Sequence, residues 1–185
     1  MRYPVKIVVL SDISKELGPD VEVVVGLPSK DPWSLPFGHK KIFAELLEQA
    51  DVFIYSEDDT LIAESNIDAF LRATDVLPPD EIAGFVHYEV GPEDQLYFST
   101  IHSHFHWILG SVHSCGGEVF ARFSNDHSGC FFLTRRQLDA AIRSGGFLTS
   151  PYRGRYGMPE TAVPDPYTRC GFKKFCAFRN SRISL

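Results

Sequence analysis

The stretch DVFIYSEDDTLI, residues 51–62, runs an apolar strand pattern straight into three consecutive acids, Glu57, Asp58 and Asp59. An apolar run without polar alternation needs cover on both faces, so the strand calls for a layer on each side of it. A turn after such a strand needs one acid at most. Three in succession repel one another unless a positive charge lies among them. The stretch thus asks for a strand inside a layered α/β arrangement, with a cluster of oxygens at its carboxyl end, where open α/β sheets bind ligands.

The flanking sequence extends the pattern. VKIVVLSD and VEVVVGLP are short β-branched runs closed by turn residues, as in strands buried on both faces of a parallel sheet, with only ISKELGPD between them. PFGHKKIFAELLEQA sets Ile42, Phe43, Leu46 and Leu47 on one helical stripe. ESNIDAFLRATDVLPPDE predicts a helix that starts near Ser65 or Asn66 and stops at Pro78 and Pro79. From about residue 83 to 133 the aromatic-rich segments IAGFVHYEV, QLYFSTIHSHFHWILG, EVFARF and GCFFLT predict antiparallel or mixed strands added to the first sheet. TRRQLDAAIRSGG predicts a helix, because Thr134 and Gln137 have capping-box spacing and Gly145 and Gly146 close it. The last forty residues read as loop with a short strand at FKKFCAF. The expected fold is one α/β domain over residues 1–185: a mostly parallel central sheet flanked by helices, Rossmann-like, with added antiparallel strands.

Composition bounds what such a domain does. At 185 residues and 44% hydrophobic the chain can bury one sizeable core. No apolar run approaches the roughly 18 residues of a membrane span, and the opening MRYPVKIVVLSD lacks a signal-peptide pattern, so a soluble, cytoplasmic protein without a transmembrane segment is expected. Cys115, Cys130, Cys170 and Cys176 are too scattered for a zinc knuckle or a dense disulfide framework, and read as buried thiols. Residues 151–185 hold seven basic residues against Glu160 and Asp165, a formal +5, which leaves −11 for the remainder of a chain whose net charge is −6. An acidic body argues against general nucleic-acid binding, whereas the basic end can attract phosphate or simply be solvated.

The acids offer hard oxygen ligands to Mg²⁺ or Mn²⁺, cations that keep open positions for phosphate oxygens. If the strand persisted, Glu57 and Asp59 would share one side and Asp58 would face the other. A plainer account makes them first-turn acids of the next helix, or solvated turn residues.

FGHKKIFAELLEQADVFIYSEDDTLI resembles the segment that leads into the D-x-D-type motif of metal-dependent nucleotide-sugar glycosyltransferases of the GT-A fold. HSGCFFLTRRQLDAAI is similar to the strand and helix after that motif, and GMPETAVPDPYTRCGF to the region that carries an acceptor-side acid. The resemblance begins one strand–helix unit later than is usual in that family. It implies a GT-A-like sheet, Mn²⁺ or Mg²⁺ at Glu57 and Asp59, and Asp58 at a ribose or sugar hydroxyl. It also implies a nucleotide-sugar donor contacted by Ser11, Asp12, His39 and Lys40, and a glycan or other hydroxyl acceptor. Glu160 would be the general base of an inverting reaction, with Asp165 as its competitor, while His127 and Tyr152 would lie on the acceptor side. A catalytically inactive remnant that binds glycans or a partner through the same cleft is the alternative.

A second constellation competes. In TIHSHFHWIL the alternating His102, His104 and His106 would project from one strand face, a spacing that suits Zn²⁺ or Fe²⁺ in a hydrolase or oxygenase. The bland account is a polar strand face lining a cleft. Trp33, Trp107, Tyr152, Tyr156 and Tyr167 are candidates to stack on sugar rings or to anchor the core, and Arg153 and Arg155 to clasp a diphosphate.

Overall fold

A computed structural model of the chain describes residues 2–98, 106–178 and 182–184. In chain order the elements are β1 (Ile7–Ser11), β2 (Val21–Val25), α1 (Gly38–Glu45), β3 (Val52–Ser56), α2 (Glu64–Val76), β4 (Glu81–Ala83), β5 (Val86–Val90) and β6 (Leu96–Phe98). They continue with β7 (His113–Cys115), β8 (Glu118–Arg122), β9 (Cys130–Thr134), α3 (Arg135–Arg143), α4 (Met158–Ala162), α5 (Asp165–Thr168), β10 (Lys173–Ala177) and β11 (Arg182–Ser184).

β9 is the strand around which the core is built. Its residues Cys130–Leu133 are all buried, and strand alternation sends successive rings to opposite sides. Phe131 meets Phe43 of α1 and stacks on Tyr55 of β3, at centroid distances of 6.1 and 5.8 Å. Phe132 meets Phe70 of α2 and Phe85 at 5.4 and 4.9 Å. Burying one such ring stabilises the fold by roughly 1.5–3 kcal/mol. α3 follows β9 directly, and the sequence reading of its start holds: Gln137 N–H donates to Thr134 Oγ1 (3.3 Å) while Thr134 N–H donates to Gln137 Oε1 (2.9 Å). α2 begins one or two residues earlier than its pattern predicts, with Asn66 Oδ1 accepting from the Ala63 N–H at 2.7 Å. The final segment, read as loop, also folds α4 and α5.

The mostly parallel central sheet flanked by helices, expected on the GT-A pattern, is not what forms. The described strands fall into four small sheets: β1-β2, β3-β9, β4-β10-β8-β7 and β11-β5-β6. Among the described strands β3 has one partner, β9, and the pairing is antiparallel, Val52 opposite Thr134 and Ser56 opposite Cys130. β1 and β2 are parallel but stand as a two-stranded pair, joined by residues 12–20 without a helix. Parallel strands are buried when crossover helices cover both faces, and this pair has no such crossover. Ile7 and Val25 consequently stay 46% and 52% exposed, contrary to the two-sided burial predicted for them. No helix among the described residues is long and apolar enough to cross a membrane.

Candidate functional site

The acids lie beyond the last paired residue of β3. The chain leaves the ladder at Ser56 and turns, Thr60 N–H donating to Glu57 O at 3.3 Å, so strand alternation no longer sorts Glu57 and Asp59 from Asp58. All three residues are exposed. Because β3 and β9 are antiparallel, the turn preceding β9 comes back to this end of β3, and Glu57 N–H donates to Gly129 O at 3.0 Å. The Glu57 carboxylate folds over Gly129, where a Cβ would lie 3.1 Å from its Oε2. Its pKa is raised above the usual carboxylate range, first by partial burial of that carboxylate and then by the charges of Asp59, Glu160 and Asp58.

Glu160 therefore reaches the same electrostatic neighbourhood from a position far along the chain. It sits inside the short helix α4, which opens at Gly157 and packs on the 3₁₀ turn Pro32–Phe37. Thr161 anchors the approach by donating to Gly157 O (2.7 Å) and accepting from Gly154 N–H (3.2 Å). Gly157 leaves room for the acid, since a Cβ there would collide with Glu160 Oε2. That oxygen is buried and has no hydrogen-bond partner among the described residues.

The remaining predicted site residues are placed elsewhere or put to other uses. Ser11 is buried at the end of β1, its hydroxyl accepting from Ile13 N–H at 3.3 Å, and Asp12 beside it is exposed. Among the described residues neither makes a hydrogen bond or ion pair to the acids. His39 is buried among the rings of Phe43, Tyr55, Phe131 and Phe147, with Nδ1 2.6 Å from Pro36 O and Nε2 without a partner among the described residues. Burial pushes its pKa down to about 3, so it is neutral at physiological pH. Lys40 is buried against Asp165 in an ion pair and donates to Thr149 Oγ1 at 3.2 Å. Asp165 is fully buried, accepting from Lys40 and Thr149 on one oxygen and from Tyr152 and Thr168 on the other. This closed network leaves Asp165 no oxygen for an acceptor, and it occupies the Tyr152 hydroxyl.

His127 does lie near the acids' end of β9. Its N–H donates to Asn125 Oδ1 at 3.0 Å, and its ring meets Tyr156 edge-on at 5.6 Å, while the Tyr156 hydroxyl donates to the same Asn125 oxygen at 3.2 Å. Arg155 stands over the Tyr156 ring, and Arg153 pairs with Asp31 at 3.7 Å. Trp33 is exposed, whereas Trp107 packs on Phe123 and Phe178. Of the rival histidines, His102 and His104 lie outside the described residues. His106 is exposed, with Nδ1 3.4 Å from Ser124 Oγ.

Three residues of the site were not anticipated. Lys174 of β10 is 2% exposed, and its ammonium donates to His127 O (3.1 Å) and Ser128 Oγ (3.0 Å), holding the turn that holds Glu57. Desolvation lowers its pKa. His87 of β5 flanks the same Gly129 as Glu57, at 3.4–3.5 Å from the Cβ position, and its Nε2 lies 3.4 Å from Cys130 Sγ. Gly129 permits both approaches. Nothing in their sequence neighbourhood marks them, because each belongs to a strand or turn brought in by tertiary pairing. The four cysteines are free, Cys130 and Cys176 being buried and Cys115 and Cys170 half-buried.

The oxygens at the end of β3 match Mg²⁺ or Mn²⁺ in hardness, and among the described residues no Lys or Arg ion pair neutralises them and Glu160 contributes an unpartnered oxygen nearby. Among the described residues no group of three or more His, Cys, Asp or Glu side chains converges as a ready-made cage. The chain can thus offer one or two carboxylates, leaving other positions to water and ligand oxygens. A surface depression of about 360 Å³, lined by Glu48, Asp51, Arg135, Arg136 and Asp139, lies at the opposite end of β3. Its acids Asp51 and Glu48 are already neutralised by Arg135 at 2.9 and 3.9 Å. No family model, curated protein or solved structure matches this chain.

Proposed function

We propose that the chain is a glycosyltransferase that moves a sugar from a nucleotide-diphosphate donor to a hydroxyl acceptor with the help of Mn²⁺ or Mg²⁺. The observation that supports this reading is the approach of Glu160, with a buried and unpartnered Oε2, to the acids that end β3. Inverting, metal-assisted transfer to a hydroxyl uses two kinds of carboxylate near each other: one toward a cation, and one free to take a proton.

Glu57 and Asp59 would hold the cation, which would supply positive charge against a departing diphosphate. Asp58, exposed on the same turn, faces the ribose or sugar hydroxyls of the donor. Glu160 would take the acceptor's proton through its carboxylate, whose buried Oε2 has no hydrogen-bond partner among the described residues. Lys174 keeps the His127–Gly129 turn against Glu57. His127 and Tyr156 form the adjoining wall, where an acceptor ring can lie against aromatic edges. Reading function from these side chains does not require a parallel sheet.

The test is the melting temperature with UDP-, GDP- and dTDP-sugars and a CMP-sugar control, each with and without Mn²⁺, in the wild type, Asp59→Ala and Glu160→Gln. A ligand that binds only the folded state raises it by mass action. One donor is expected to stabilise the wild type and Glu160→Gln only with metal, and to leave Asp59→Ala unchanged. Transfer by Glu160→Gln should fall by about 10²–10⁴-fold. A panel that is flat in the wild type refutes the proposal, as does full activity of Glu160→Gln.

A further inference from the structure

Far from the acids, the 3₁₀ turn Leu109–Ser111 carries a leucine at its tip. Leu109 is 82% exposed, and a Cβ added at the next residue, Gly110, would meet no described atom within 4 Å, so the turn stands in open space. The turn is nonetheless firmly held. Ile108 N–H donates to Arg122 O at 3.0 Å and Arg122 N–H donates to Ser111 Oγ at 2.8 Å, which fastens both sides of the turn to the end of β8. Val112, directly after the turn, is exposed, as are Val119 and Phe178. These last two adjoin, Phe178 N–H donating to Val119 O at 2.9 Å, and the Phe178 ring meets Trp107 at a centroid distance of 5.0 Å. Strand geometry explains the grouping: Trp107 lies opposite Phe123, and alternation sends positions 119 and 123 to one side.

A contiguous exposed apolar patch marks contact with another protein or with a membrane, and the two demand different shapes. A protein partner seats a projecting side chain in a pocket, and a second copy related by two-fold symmetry would have to offer that pocket on this same surface. What this surface offers is a projecting turn beside packed rings, while the depression at the far end of β3 is lined by charged side chains and gives a leucine no apolar seat. Fluid hydrocarbon needs no pocket. It closes around a projecting leucine, with Trp and Phe beside it at headgroup level. The chain's net charge of −6 makes attraction to anionic lipid an unsuitable driving force. We propose that Leu109, with Trp107, Val112, Val119 and Phe178 around it, forms a shallow docking surface for a zwitterionic lipid bilayer, on which the protein rests without spanning it. The transferase reading is not needed for this.

Phosphatidylcholine vesicles are the probe. In co-sedimentation the wild type is expected to partition onto them equally at low and high salt, and Leu109→Asp, with wild-type circular dichroism, to bind about tenfold or more weakly. Trp33→Phe leaves Trp107 as the one tryptophan of the chain. Its emission should shift to the blue on the vesicles and be quenched by brominated acyl chains. A wild-type protein that stays in the supernatant overturns the proposal, as does Leu109→Asp binding as well as the wild type. So does binding that requires phosphatidylserine and is lost at high salt. Self-association in analytical ultracentrifugation that Leu109→Asp abolishes makes a second copy the occupant, and overturns it too.

Discussion

His39 provides a quantitative test of how the core is built. Its ring is 3% exposed, enclosed by Phe43, Tyr55, Phe131 and Phe147, and its pKa is pushed from the ordinary 6.5 to about 3 by that burial. Above pH 6.5 both the folded and the unfolded chain carry a neutral imidazole, and the full stability is present. Between 6.5 and about 3 the unfolded chain binds a proton that the fold excludes. Stability then falls as pH falls, by up to about 1.4 kcal/mol per pH unit. Taken from about pH 8 to about pH 4, the loss from this one group is about 3 kcal/mol. His39→Asn removes the titration and keeps an N–H within reach of Pro36 O. The smaller side chain leaves a hole whose penalty does not depend on pH, so the quantity to read is how the difference between wild type and variant changes. Urea unfolding at the two pH values should show the wild-type advantage shrinking by about 3 kcal/mol on acidification. A difference constant to within about 0.5 kcal/mol, or an NMR titration of His39 near its ordinary value, would refute the buried neutral imidazole.

Three further outcomes follow from particular contacts. Lys40→Met should destabilise the chain by about 3–5 kcal/mol in denaturant unfolding, because it strands the fully buried Asp165, whereas pairing it with Asp165→Leu should recover much of that. Phe132→Ala, emptying a site between Phe70 and Phe85, should lose about 3–5 kcal/mol by the same assay. Thr134→Ala, which deletes one half of the capping box of α3, should lose about 1 kcal/mol, and a loss beyond about 2 kcal/mol would mean that Thr134 does more than cap.

Local signals were legible wherever the physics is local. The box at Thr134 and Gln137 depends on residues three apart, and it forms as read. The stop of α2 before Pro78 needs only the missing N–H and fixed φ of proline. The run VFIYS is a strand, and the acids do follow at its end. Readings that depended on which strand lies beside which were less secure. The β-branched runs at Ile7–Ser11 and Val21–Val25 look suited to the middle of a parallel sheet, yet among the described strands they pair only with each other and keep an exposed face. Lys40 and Asp165 each read as site residues in their own segments, but they neutralise one another in the interior.

The sequence by itself determined the periodicities, the helix ends and the placing of three acids after an apolar strand, because each follows from backbone geometry and side-chain chemistry over a few residues. Only the tertiary structure decided the direction of the β3–β9 pair. A parallel pairing would have set the last residues of β9 beside the acids. The antiparallel one brings instead the turn His127–Gly129, and around it stand His87, Cys130 and the buried ammonium of Lys174. That direction is a matter of which residues lie opposite which, Val52 against Thr134 and Ser56 against Cys130, a pairing across roughly eighty residues that no short window of sequence contains.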